Sequence, residues 1–372
     1  AALLVVDTAL DNVEKMGNDA TGGEALALVV EIKSPRVGQA LRKDLEFLAN
    51  RMPTPDAAID ELAIAAGCDP LAFRIDNVAN NHPITGAPFT SHYLKQCLEE
   101  GGRRFNWSNK PANKSSTRRR GIGVASAIRL NMLTPSEASV TLNVAGELTI
   151  RTDMTDIGTG TYTILAQIAA DYFSMPVEKV NVHLGDSDDP ASCGSGGSFG
   201  ASSAGSSVLK ACQSLKQQLK QILPAEWAGV DLRIDNDALL SLGSDSNLPR
   251  VSLASLITES SGNMSASGSV DDSDTSDNPQ YSCGAHFAEV EVDTVTGEVR
   301  LCRQLGVFSA GKILNMKTAS SQLKGGMVWG AGYALTEALQ HEAGAANFVN
   351  PDFAEYHIPV NRDIADVDVY FI

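Results

Sequence analysis

Apolar and polar residues alternate strictly in two pairs of short runs. Ser139-Val140-Thr141-Leu142-Asn143-Val144 and Glu147-Leu148-Thr149-Ile150-Arg151 flank Ala145-Gly146, which predicts a β-hairpin with one buried face. Ala288-Glu289-Val290-Glu291-Val292 and Glu298-Val299-Arg300-Leu301 flank Asp293 to Gly297 and predict a second hairpin. Val180-Asn181-Val182-His183-Leu184 adds a further strand. Helical spacing fills other stretches. Thr54-Pro55-Asp56 set a cap-type residue and a proline before Ala57 to Ala65, and Gly67 closes that helix. Ile164, Leu165, Ile168 and Tyr172 mark one amphipathic helix, and Val208, Cys212, Leu215, Leu219 and Ile222 another. A long helix is predicted from Thr318 to Leu339 although it contains Gly325, Gly326, Gly330 and Gly332. Each glycine costs a helix about 1 kcal/mol relative to alanine. Either a closely packed neighbour or a cofactor lying over the helix start must require them. Strands, Gly-rich turns and helices without a regular strand–helix alternation predict the α+β class.

A length of 372 residues exceeds what one core usually organises, so two globular units are expected. Residues 243–279 are polar and acidic, with Asp271, Asp272, Asp274 and Asp277 close together. They are expected to form a linker or surface loop between a first region, 56–242, and a second, 280–372. Residues 1–55 show helix-like spacing, as in Leu41, Leu45 and Leu48, but no motif. A net charge of −16 opposes a nucleic-acid partner, and Arg118-Arg119-Arg120 reads as a solvated approach to a strand. No run of about 18 apolar residues predicts a membrane span, and Ala1 to Val6 is too short for a signal-peptide core, so a cytoplasmic or periplasmic chain without a signal peptide is expected. The six cysteines contain no C-x-x-C pair, which excludes the usual zinc and iron–sulfur spacings.

The densest glycine cluster, Gly194-Ser195-Gly196-Gly197-Ser198-Phe199-Gly200-Ala201-Ser202-Ser203-Ala204-Gly205, lies between a predicted strand and a predicted helix. Backbone N–H groups at such a helix start favour an anion such as phosphate. The alternative is a flexible Ser/Gly loop. Neither G-x-x-x-x-G-K-[ST] nor a Rossmann G-x-G-x-x-G is present. Asp186-Ser187-Asp188-Asp189 lacks the glycine and terminal glutamate of a calcium loop and reads as a turn. Glu337 reads as a solvated or core-edge carboxylate. His286 and His357 read as structural histidines in apolar, strand-like settings.

Several motifs occur together in a fixed order: Asp156-Ile157-Gly158-Thr159-Gly160-Thr161-Tyr162 through Gln167, Leu184-Gly185-Asp186-Ser187-Asp188, Gly194-Ser195-Gly196-Gly197, Gly284 to Asp293, Ser321-Gln322-Leu323-Lys324-Gly325-Gly326, Gly330 to Glu337, and Ala354 to Pro359. In these, from about Asp56 to Ile372, the chain resembles the molybdenum-cofactor-binding large subunits of the xanthine dehydrogenase/aldehyde oxidase family, above all those of bacterial three-subunit aldehyde oxidoreductases. The resemblance implies molybdopterin-binding domains with mixed sheets and packed helices. It implies a molybdopterin cofactor with molybdenum, extended as a cytosine dinucleotide. It implies iron–sulfur clusters and FAD on partner iron–sulfur and FAD subunits. The reaction it implies is hydroxylation of an aldehyde or N-heterocycle with water as oxygen source. By position, Gly158, Thr159, Gly160 and Thr161 would hold one part of the cofactor. Gly196, Gly197, Ser198, Phe199, Gly200, Ala201 and Ser202 would hold another, and Gln322 would reach it from the last helix. Thr159 stands where family members often carry glutamine.

Two departures follow from the same resemblance. The family's catalytic glutamate lies in a G-x-G-E motif several dozen residues after the region matching Tyr356-His357-Ile358-Pro359, and no such motif follows that region here. A truncated chain, inactive as an isolated fragment and with no catalytic residue of its own, is therefore expected. The family's arginine-proline-glycine segment is replaced by Asn50-Arg51-Met52-Pro53-Thr54-Pro55, with Arg51 as a displaced counterpart at best. The competing readings are a non-catalytic truncated paralogue or scaffold and a generic nucleotide-binding module.

Overall fold

The computed structural model describes residues 2–5, 26–29, 55–113, 115–242, 248–257, 262–342, 344 and 347–372. Arg51, Thr54 and the helix-like positions Leu41, Leu45 and Leu48 lie outside them. In chain order the elements begin with β1 (Ala2–Val5), β2 (Leu26–Val29), α1 (Pro55–Ala65), α2 (Pro70–Asp76), α3 (Leu94–Phe105), β3 (Arg118–Leu130), β4 (Ser136–Asn143) and β5 (Leu148–Thr152). There follow α4 (Thr161–Phe173), β6 (Val180–Leu184), α5 (Gly200–Ile222), β7 (Asp231–Asp235), β8 (Ala238–Leu242), β9 (Val251–Ser252) and α6 (Leu253–Leu256). The last are β10 (Asn263–Val270), β11 (Tyr281–Asp293), β12 (Val299–Ser309), α7 (Met316–Leu335) and β13 (Asp366–Phe371). Both predicted hairpins form, as β4–β5 and β11–β12, and the class is α+β with mixed sheets.

The chain divides into two compact units. One comprises Ala1–Leu130, Asn278–Lys312 and Ser320–Ile372, and the other Asn131–Asp277 and Ile313–Ala319. The first unit is built on a sheet of order β13-β12-β11-β3, in which β13 joins β12 in parallel. Helix α3 covers one face. Its Leu94, Cys97, Leu98 and Phe105 pack with Val124, Ala285, Phe287, Leu305 and Val307. Gly101 permits this, since a side chain there would collide with the Phe287 ring. Asp69 caps α2 by accepting the N–H groups of Leu71 and Ala72, and buried Arg74 ties α2 to α1 through Asp56 at 3.1 Å and Asp60 at 2.5 Å. Asp56 also accepts the N–H of Ser126 on β3, so three elements meet on one ion pair.

Two sequence readings change here. Arg118 and Arg120 are not free surface charges, because they pair with the buried carboxylates of Glu291 and Glu289 at 3.0 to 3.1 Å, and Arg303 joins from β12. Cross-strand pairing made a basic run part of the sheet, and only Arg119 is left exposed. His357 is not in a strand but in an exposed loop. His286, by contrast, sits on β11 with its ring edge-on to Phe308, centroids 5.0 Å apart. Burial pushes its pKa down to about 4.

The second unit has a sheet of order β10-β4-β5-β6, in which only β5 and β6 run parallel. Val140, Leu142, Leu148 and Ile150 point into a core closed by Leu165, Ala169 and Phe173 of α4 and by Val208, Cys212 and Leu215 of α5. Strand β10 pairs with the whole of β4, from Asn263↔Asn143 to Val270↔Ser136. At Gly268 the backbone of α5 lies against the strand, so that a Cβ would collide with atoms of Ala211 and Ser207. A small three-stranded sheet, β7-β8-β9, completes this unit.

Gly268→Ala is therefore expected to cost about 1–3 kcal/mol through overpacking, seen as a lower urea midpoint. A denaturation midpoint unchanged from wild type would contradict the close approach. For His286 the unfolded chain binds the proton more tightly than the folded one. Stability should thus be full above the ordinary value of 6.5 and decline as pH falls from there toward about 4. His286→Phe should flatten that part of the stability–pH curve relative to wild type.

Candidate functional site

Parallel pairing brings the C-terminal ends of β5 and β6 to the same edge of their sheet. Each strand leaves that edge into a Gly-rich loop, and each loop feeds the start of a helix. The first loop, 153–160, leads into α4, and the second, 185–199, into α5. They are adjacent: the Ser195 hydroxyl lies 2.8 Å from both the carbonyl oxygen and the Oγ1 of Thr155. Gly200 has no side chain to hit the Met154 terminal methyl, which lies 2.5 Å from where its Cβ would stand. The sequence-chosen residues Gly158–Thr161 and Gly196–Ser202 thus share one end of one sheet.

The two helix starts differ in how their N–H groups are satisfied. At α4 the Asp156 carboxylate accepts from Gly158 at 2.8 Å, Gly160 at 3.2 Å and Tyr162 at 3.3 Å. These bonds outweigh its partial burial and hold its pKa below the ordinary carboxylate value. Gly158 and Gly160 take φ of +99° and +88°, a region that side chains disfavour, and Thr318 stands so close that a Cβ on Gly160 would meet its methyl at 2.7 Å. This loop is closed on its own aspartate. Within it the hydroxyls of half-buried Thr159 and buried Thr161 lie 3.4 Å apart.

At α5 no side chain caps the helix. The N–H of Ser203 bonds to the Phe199 carbonyl, but those of Gly200, Ala201 and Ser202 find no acceptor among the described residues. The exposed approach to them bends through Gly197 at φ +43° and Ser198 at φ +55°. The loop is not slack. Ser202 bonds through its hydroxyl to the carbonyls of Met132 and Phe199, and the Ser203 hydroxyl accepts the N–H of Thr134. Open N–H donors on a fixed backbone at the positive end of a long helix suit a phosphate or pyrophosphate. That donor set fits the phosphate-bearing part of a pterin cofactor.

Sequence reasoning passed over several supporting residues. Asp156 was readable from glycines two and four positions on, the pattern of an aspartate closing its own turn. Asn315 was not. It caps α7 by accepting the N–H groups of Lys317 and Thr318, and its amide reaches Gln167 of α4 at 3.1 Å. Gln322 lies exposed on α7, one turn after Thr318, and belongs to the other compact unit. The Asp186 loop closes as a turn, with the Asp188 N–H on its carboxylate and Asp189 paired to Arg151 at 3.1 Å. Glu337 is half-buried and accepts the Tyr356 hydroxyl at 2.9 Å. Among the described residues no helix is long and apolar enough to cross a membrane.

A family model described as a molybdopterin cofactor-binding domain matches residues 100–365. The aldehyde oxidoreductase molybdenum-binding subunit PaoC of Escherichia coli K12 is 41% identical over 323 residues, which are 85% of this chain and 43% of that protein. The putative xanthine dehydrogenase molybdenum-binding subunit XdhA of the same strain is 28% identical over 341 residues, with 85% and 44% coverage. In fold the chain is similar to quinoline 2-oxidoreductase from Pseudomonas putida 86, with TM-score 0.73, 20% identity and 84% and 44% coverage. It is also similar to the aldehyde oxidoreductase of Desulfovibrio desulfuricans, with TM-score 0.68, 21% identity and 85% and 34% coverage. The chain spans less than half the length of these relatives. Two Gly-rich helix starts at one sheet edge, together with this match, place the chain in the molybdopterin cofactor-binding family, that of the molybdenum-binding subunits of xanthine dehydrogenase/aldehyde oxidase type.

Proposed function

We propose that this chain is the cofactor-holding part of a molybdenum hydroxylase that oxidises aldehydes or N-heterocycles, with aldehydes the preferred class and water the oxygen source. The observation that carries the reading is the open α5 start beside the self-closed α4 loop, a phosphate cradle next to a rigid hydroxyl-bearing wall. Higher identity to a subunit named for aldehyde oxidation than to one named for xanthine favours aldehydes. When bound, the molybdenum cofactor supplies a two-electron redox centre. The chain's own residues bind and orient it. The N–H groups of Gly200, Ala201 and Ser202 hold its phosphates, and Gly196, Gly197, Ser198 and Phe199 shape the approach. Gly158, Thr159, Gly160 and Thr161 line the neighbouring wall. The cytosine dinucleotide form suits a site built for more than one phosphate. Iron–sulfur and FAD groups on partner subunits would supply the outlet for electrons, since the cysteines of this chain are scattered and free.

Catalysis also needs a carboxylate to take up the substrate proton, and we assign that role to no residue of this chain. What the 372-residue chain itself supplies is cofactor binding. Purified from a host that makes molybdenum cofactor, it should carry pterin fluorescence and molybdenum in near-stoichiometric amount, and preparations lacking both would overturn the reading.

Two variants separate the loops. Ala201→Glu puts a carboxylate at the open, exposed helix start, where it favours the dipole but competes with phosphate. Pterin content should drop at least tenfold with the melting temperature equal or higher, whereas equal pterin content would rule out this cradle. Asp156→Asn weakens the α4 cap and should cost about 1 kcal/mol of stability. Because the folded-state pKa of Asp156 is depressed, that contribution exists above the ordinary carboxylate pKa and disappears as pH falls below it. The wild-type and Asp156→Asn melting curves should accordingly converge in acid.

A further inference from the structure

We propose that the face of α7 carrying Gly326, Trp329, Gly330 and Tyr333 is a docking surface. Its occupant would be the polypeptide that, in the longer relatives, lies outside the part this chain matches. The inference rests on the reading of the chain as part of a molybdenum-binding subunit, and deepens it by naming an assembly surface.

Twelve consecutive residues of α7 and its exit, Gly325 to Thr336, carry no charge, in a protein with a net charge of −16. Only Met327 and Gly332 of the helix are buried. Met327 packs toward β12, its sulfur 3.0 Å from where a Cβ on Gly306 would stand. Trp329 and Tyr333, four residues apart and so on one face, are each 79% exposed. Leu339, Val349 and Phe353 in the following segment are exposed as well. Two large, exposed aromatic side chains on one uncharged helix face mark an interface.

The glycines give the second, independent argument. At Gly332 a Cβ would run into Glu337 and Pro359, so packing inside the chain explains that residue. At Gly325, Gly326 and Gly330 it would meet nothing within 4 Å. The helix bears their cost of about 1 kcal/mol each without a neighbour among the described residues that needs them. Gly326 and Gly330 are also four apart and lie beside the two aromatic side chains. A second backbone can approach such a strip to contact while Trp329 and Tyr333 anchor its flanks. A cofactor at the start of α7 would leave these residues, about three to five turns further on, uncovered. The size of the occupant is met by the relatives, more than half of whose length has no counterpart here.

The test co-expresses the tagged chain with the part of Escherichia coli PaoC that it does not match. The same PaoC part co-expressed with PaoC's own matched portion serves as the assembly control. Trp107 and Trp227 are buried and Trp329 is exposed, so acrylamide quenching of one of three tryptophans reports on α7. A one-to-one complex in which Trp329 is protected is expected. Gly330→Leu should weaken that complex at least tenfold while the melting temperature of the chain alone stays equal or rises. Absence of a complex, or one indifferent to Gly330→Leu, would overturn the proposal. So would Trp329 protection by cofactor loading alone, or by self-association of the chain. Pterin content is read separately, so a complex without pterin would count against the cofactor reading and not against this surface.

Discussion

Parallel pairing of β5 with β6 is the constraint on which the site depends. Antiparallel strands would send consecutive loops to opposite ends of the sheet, whereas two parallel strands joined through α4 return both C-terminal ends to one edge. The order β10-β4-β5-β6 places that pair at the side of the sheet, with α4 and α5 covering its inner face. The Gly-rich loops are then neighbours by topology before any ligand is considered, and the Thr155–Ser195 contact fixes their spacing.

The division of labour between the loops follows from how a helix start satisfies its first N–H groups. Asp156 meets that need locally at α4, while α5 has long hydrophobic packing along Val208, Cys212, Leu215 and Leu219 and can tolerate an uncapped beginning. Stability for α5 comes from its buried side, so its N-terminus can stay uncapped. The first unit handles polar groups differently. There Arg74, Asp56 and Asp60, and further out Arg118, Arg120, Glu289 and Glu291, settle buried charge through paired networks, because a single unpaired member would be costly.

Both hairpins, β6 and the helices from Thr161 and Gly200 were legible because alternation and 3.6-residue spacing survive in those stretches. The glycine clusters were legible as turns because the positive φ at Gly158, Gly160, Gly194 and Gly197 leaves a compositional mark. Strand β10 was not. Its inward positions include Ala266 and Gly268, kept small by the backbone of α5, so the hydrophobic signal of a strand is missing and the run reads as a polar connection. The ion pairs of Arg118 and Arg120 were equally hidden, since their partners lie some 170 positions away in sequence and only strand register brings them opposite. Within the site, the Asn315–Gln167 contact had no local signal for the same reason, whereas the role of Asp156 was written in the spacing of its own glycines.

The self-closed loop at Asp156 bears on the order of maturation. A recognition loop held open by its ligand would have to fold around that ligand, and the empty protein would be prone to local unfolding there. In the proposed site the wall is closed from within by Asp156, so the chain would reach its native arrangement first and accept a preassembled cofactor afterwards. Cofactor insertion at the proposed site would then be a late, separable event that spends little ordering entropy. The empty form would be a durable, insertion-competent intermediate rather than a misfolded one.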